Sequence, residues 1–214
     1  MTYRSLTLLC IAAAAAGVCS ADLLYNQAYD GSGGLLASQN DTSGTFGAFA
    51  TTYDNFTLPN LSYVTGVAWT GGYFNPPTQG TITAFTLQFY SDNAGTPGPS
   101  VYSTFISGTA GETLLGGAIY TYSATLGSAF TANAGTQYWL SIVPDLGFPP
   151  QWGWADGTGG DGAGYQVFFG AGAATANDMA FTLTGIATPE PFTFGLIGVG
   201  LAGIALAKFR RARS

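Results

Sequence analysis

The stretch Thr83-Ala-Phe-Thr-Leu-Gln-Phe-Tyr90 decides the fold class. Phe85, Leu87 and Phe89 alternate with Thr86 and Gln88, the period of two that sends successive side chains to opposite faces of a strand. A helix would scatter those three apolar groups around its circumference, whereas a strand lines them up against one core. Phe181 and Leu183, set against Thr182 and Thr184, repeat the pattern near the other end of the chain.

Between these two stretches and before them, short runs rich in Thr, Val, Tyr, Phe and Trp are punctuated by Gly, Pro, Asn and Asp, as in antiparallel all-β domains. Strands are predicted at 55–58, 65–69, 82–90, 101–107, 119–126, 137–143, 165–169 and 179–184. Ser91-Asp-Asn-Ala-Gly-Thr-Pro-Gly-Pro99 reads as a loop, because it combines Asx side chains that bond their own backbone with Gly and Pro. No long segment has helical apolar spacing, and no fixed-period repeat is present. The expected architecture is all-β, a two-sheet antiparallel sandwich of jelly-roll type, with a β-barrel as the alternative.

Charge is partitioned along the chain. All five cations, Arg4, Lys208, Arg210, Arg211 and Arg213, lie near the two ends, and there is no His. Of the 11 acidic residues only Glu190 lies outside residues 22–188, so that stretch carries nine Asp and Glu112 against no cation. Nucleic acid binding needs cations against phosphate, and this body has none. Lys Schiff bases, His general bases and Arg clamps are excluded with it. Carboxylate-only chemistry, such as a glycosidase with paired acids, and oxygen ligation of a hard cation are what composition leaves open.

The ends read as targeting segments. Arg4, the apolar stretch from Leu6 to Ala16 and the small residues before Asp22 have the order of a secretory signal peptide, residues 1–21, with cleavage expected after Ala21. A lipoprotein reading through Cys19 is weakened by Val18, where a small residue is wanted. Cys10 and Cys19 are the only cysteines, so an exported domain of residues 22–187 has no disulfide and depends on its apolar core. At the other end, Thr188-Pro-Glu-Pro191 precedes an apolar, charge-free run from Phe192 to Ala207 and then Lys208-Phe-Arg-Arg-Ala-Arg-Ser214. Such a run reads as a single transmembrane helix with its basic end on the cytoplasmic side. At about 1.5 Å per residue it reaches about 24 Å, short of a hydrocarbon core of roughly 30 Å.

Residues 188–214 resemble the PEP-CTERM sorting signal of Gram-negative bacteria, a Pro-Glu-Pro motif, a short transmembrane helix and an Arg-rich end. Its signature falls here on Pro189, Glu190 and Pro191, and its basic stop on Lys208, Arg210, Arg211 and Arg213. The resemblance implies the membrane enzyme exosortase as a partner and passage through the inner membrane to the outer envelope, cell surface or extracellular matrix. It implies no biochemical activity. Trp69-Thr-Gly-Gly-Tyr-Phe74, Phe85 to Pro99 and Gln137-Tyr-Trp-Leu-Ser141 are similar to a β-sandwich ectodomain of bacterial surface proteins.

Three local features could carry chemistry. Asp156 and Asp161 lie in the Gly-rich Trp154-Ala-Asp-Gly-Thr-Gly-Gly-Asp-Gly-Ala-Gly164 and are candidate Ca²⁺ ligands, although their spacing fits neither the EF-hand nor the Gly-rich repeat pattern. Asp92 and Asn93 form a second candidate, with Asp54 and Asn55 as partners across a sheet end; turn formation also explains both pairs. In Gln151-Trp-Gly-Trp154, a strand would put Trp152 and Trp154 on one face, either as a stacking platform for sugar rings or, the stronger reading, as core. Tyr73, Tyr102 and Tyr138 could extend a platform. The expected function is that of a non-enzymatic, exported surface or matrix protein associated with envelope or exopolysaccharide, the alternative being a displayed carbohydrate-binding module.

Overall fold

The computed structural model describes residues 21–188. The expected signal peptide up to residue 20, the Pro189–Pro191 motif, the expected transmembrane run and the basic tail lie outside the described residues. Among the described residues the regular elements are strands, and no helix is long and apolar enough to cross a membrane.

The first seven strands are β1 (Asp22–Tyr29), β2 (Leu35–Ala37), β3 (Gln39–Asp41), β4 (Gly47–Thr57), β5 (Ser62–Phe74), β6 (Ala84–Asp92) and β7 (Pro97–Ser107). Then come β8 (Thr113–Gly116), β9 (Ile119–Ala132), β10 (Gln137–Leu146) and β11 (Gln151–Thr158). The last are β12 (Gly164–Phe168), β13 (Ala171–Thr175), β14 (Asp178–Met179) and β15 (Phe181–Ala187). They form two sheets, one of eight strands in the order β14-β11-β1-β15-β5-β9-β8 with β2 on β11, the other of seven in the order β13-β12-β4-β3-β10-β6-β7.

Alternation explains why both sheets bury one face. Phe85, Leu87 and Phe89 of β6 point inward, and so do Phe181 and Leu183 of β15, all at most 1% exposed. One apolar cluster takes residues from both sheets. Across it Phe85 meets Trp69 with ring centroids 5.0 Å apart, and Phe89 stacks on Phe130 at 4.3 Å. With each large apolar side chain contributing about 1.5–3 kcal/mol on full burial, this shared core replaces the absent disulfides. At one side the edges are tied by Tyr102 of β7, whose hydroxyl donates to Ser128 O of β9 at 2.7 Å.

Each predicted strand overlaps an observed one, but the pairing is not wholly antiparallel: β3 runs parallel to β10, with Asn40 opposite Asp145 and Asp41 opposite Leu146. The segment 91–99 is also less of a loop than expected, since β6 runs to Asp92 and β7 starts at Pro97. Prolines are admissible there because β7 is an edge strand, where an absent N–H breaks no ladder. Similarly, Trp154 to Thr158 belong to β11 and not to a Gly-rich loop. Its glycines serve close packing: a Cβ at Gly157 would press on the Met179 backbone of the neighbouring β14.

Candidate functional site

The two tryptophans proposed as a platform are core. Trp152 and Trp154 are 0% exposed, and their indole N–H groups are consumed inside, by Tyr122 Oη at 3.1 Å and Ala180 O at 2.9 Å. No sugar ring can reach them, which corrects the stacking proposal. Tyr73 and Tyr138 are buried as well, and Tyr102 is half-buried. The backbone accommodates Trp152 through Gly71 on β5, where a Cβ would overlap the indole ring.

The candidate calcium ligands do not converge. Asp156 accepts from Asn177 Nδ2 at 3.1 Å, while Asp161, beyond the end of β11, accepts from Asn55 Nδ2 at 3.2 Å. Asp92 turns to Trp139 Nε1 at 2.8 Å and Gln137 Nε2 at 3.2 Å, and the Asn93 backbone closes its own turn with Thr96. Among the described residues no three Asp, Glu, His or Cys side chains are grouped to hold a metal ion. Sequence spacing suggested loops with free carboxylates; the fold gives each of these carboxylates a donor.

Two clusters escaped the sequence reading because their members are far apart in the chain. The first centres on Asp54, inward-facing on β4 and 0% exposed. Its carboxylate accepts from Met179 N at 2.5 Å and Asn55 N at 2.8 Å. With the Gln27 amide turned to satisfy its neighbours, Nε2 donates to both Asp54 and Met179 O at 2.6 Å, and Tyr25 donates to Gln27 Oε1 at 2.8 Å. Close by, Asp178 accepts from Gly160 N and Gly162 N at 3.1 and 2.8 Å. Burial pushes the Asp54 carboxyl up to about 8, with Asp178 and Asp161 adding repulsion, against the N–H groups of Met179 and Asn55. Burial and the same carboxylates raise the Tyr25 phenol to about 12. This knot ties β1, β4, β14 and the segment after β11 together.

The second cluster surrounds Glu112. It accepts from Tyr73 Oη at 2.5 Å, Tyr122 Oη at 2.9 Å and Gln79 Nε2 at 2.6 Å. Through Tyr122 it reaches the Trp152 indole, so the single glutamate of the body anchors the polar ends of core aromatics. Burial raises both phenols, and the adjacent carboxylate raises them further.

The open surface offers shallower chemistry. On the eight-stranded sheet, hollows of about 290 Å³ and 360 Å³ adjoin at Ala68. Their polar lining side chains include Asn26, Thr121 and Thr182, with the buried Thr70, in the first and Ser123, Thr125 and Thr184 in the second. No carboxylate lines either hollow, and the first is lined by Tyr29 and Tyr122. These positions were legible only as the polar half of each strand, with nothing to mark them as neighbours. No known protein family, curated protein or solved structure matches this chain.

Proposed function

We propose that this chain is an exported, non-enzymatic surface or matrix protein of a Gram-negative bacterium, delivered by an N-terminal signal peptide and sorted by exosortase through Pro189, Glu190 and Pro191. In this reading Lys208, Arg210, Arg211 and Arg213 hold the C-terminus at the cytoplasmic face of the inner membrane until processing. The body, taken as a jelly-roll-like sandwich, then resides in the outer envelope, at the cell surface or in the exopolysaccharide matrix. One observation carries the reading: all five Lys and Arg residues fall in the two terminal segments, and residues 22–188 contain none. That distribution places cations where a leader and a stop need them and removes most catalytic side chains from the body.

The carboxylates support the non-enzymatic part. Asp54 is sealed in the core, Glu112 is engaged by two tyrosines, and the surface hollows contain neither. Replacing Pro189, Glu190 and Pro191 together by Ala is expected to leave the protein unprocessed and in the inner-membrane fraction, while the unaltered chain moves to the envelope or medium. Fractionation of tagged cells followed by blotting makes the comparison. Identical processing and distribution of the two would remove exosortase sorting from the account.

A further inference from the structure

Five phenylalanines form one contiguous cluster at an end of the seven-stranded sheet, where β3 turns into β4 and β12 into β13. Phe46 lies 5.3 Å from Phe148 and 5.6 Å from Phe169, Phe49 lies 5.4 Å from Phe169, and Phe168 lies 4.8 Å from Phe169. Phe49 is 4% exposed and seats the group, whereas Phe46, Phe168 and Phe169 are 42%, 41% and 58% exposed. A contiguous exposed aromatic patch on a domain with an ample core of its own marks a surface that something covers.

The backbone under the patch is built to present it. Asp41, 3% exposed, accepts from Phe46 N and Phe148 N at 2.9 Å each and from Ser43 N at 2.8 Å, so one carboxylate fixes the β3–β4 loop and the β10–β11 loop that carries Phe148. Although burial opposes ionisation, these hydrogen bonds hold Asp41 below the usual carboxylate range. At the hairpin tip Phe169 and Gly170 have φ of 48° and 80°. Two left-handed residues in a two-residue turn call for Asn-Gly, and a bulky side chain at the first position is strained. Strain held at an exposed aromatic residue points to use of the side chain.

We infer that the Phe46, Phe148, Phe168 and Phe169 patch is a self-association surface, covered by the same patch of a second copy. Charge restricts where two copies could meet. Each body carries ten carboxylates and no cation, so contact through acidic faces sets like charge against like with nothing to neutralise it. The patch is apolar, and its one bonded carboxylate, Asp41, is turned inward. Two copies related by a two-fold axis can therefore meet here without opposing charges. The chain's own C-terminal segment departs from the other end: Thr188 N donates to Leu61 O beside the start of β5, whereas β4 carries the chain away from the patch toward Thr57. A bilayer is disfavoured because no Lys or Arg stands in the body to hold an anionic lipid surface.

The test uses the full chain with Cys10 and Cys19 replaced by Ser and a single Thr45→Cys beside Phe46, treated in intact cells with a short bis-maleimide. A covalent dimer is expected, and with purified protein its yield should rise with salt, because screening weakens the mutual repulsion. Phe169→Asn removes the ring and suits the left-handed turn, so it should lower dimer about tenfold without lowering the melting temperature. Absence of dimer from Thr45→Cys overturns the inference. It is equally overturned by a dimer that survives Phe169→Asn or by equal cross-linking of Thr57→Cys at the far end.

Discussion

Trp152→Ala is expected to cost about 3–5 kcal/mol, the range for removing a large aromatic side chain from a packed core. The magnitude follows from the position of the indole. Trp152 has no exposed surface, lies 5.8 Å from Phe85 of the opposite sheet and 5.9 Å from Tyr122, and donates to the Tyr122 hydroxyl. Gly71 leaves no filler behind, so truncation opens a void between the sheets and removes one partner from the Tyr122–Glu112 chain. Total stability of a domain of this kind is on the order of 5–15 kcal/mol, so the variant is left marginal. At about 2–4 °C per kcal/mol the melting temperature should fall by roughly 10 °C. An exposed platform residue would behave oppositely, with melting almost unchanged by the same substitution. Denaturant titration of both proteins distinguishes the two.

The second large effect is a pH dependence carried by Asp54. Its folded pKa is raised to about 8 from 3.8, so between those values the folded chain holds a proton that the unfolded chain has released. The contribution of this group is therefore fully present below about pH 4 and declines as pH rises toward 8, by about 1.4 kcal/mol per pH unit. From pH 5 to pH 7.5 stability should therefore fall, moderated by the turned Gln27 amide, which donates to the ionised carboxyl. Asp41 works in the other direction, since its lowered pKa gives stability that is present above the ordinary carboxylate range and fades in acid. Asp54→Asn should abolish most of the slope between pH 5 and pH 7.5 while leaving the acid limb set by Asp41. Equal slopes in the unaltered chain and the variant would show that Asp54 is not the titrating group.

These effects arise where long-range pairing overrides local sequence. Strands with clean alternation, such as β6 and β15, were readable because each has one buried and one open face. β11 was not, because Gly153 and Gly157 are chosen for close approach to neighbouring backbone, and glycine in a single sequence reads as a turn. β13, Ala171-Gly-Ala-Ala-Thr175, has few of the β-branched or aromatic residues that mark strands and relies on pairing with β12. The same limit applies to polar groups. Asp54 and Asn55 looked like turn-forming neighbours, yet alternation along β4 sends Asp54 to Gln27 and Met179 inside and Asn55 to Asp161 on the other face. Trp152 and Trp154 were correctly placed on one face, and burial then decided which face. The Phe46 to Phe169 cluster had no sequence signal, because its members are drawn together by the β3–β4 and β12–β13 turns.

The proposed role rests on the two ends of the chain, and the mature protein records directly what happens to them. Intact-mass measurement on protein recovered from the envelope or culture medium of the producing bacterium is expected to give a chain that begins at Asp22 and ends before Lys208. A chain still beginning at Met1, retained in the cytosol with its basic tail, would contradict export and sorting together.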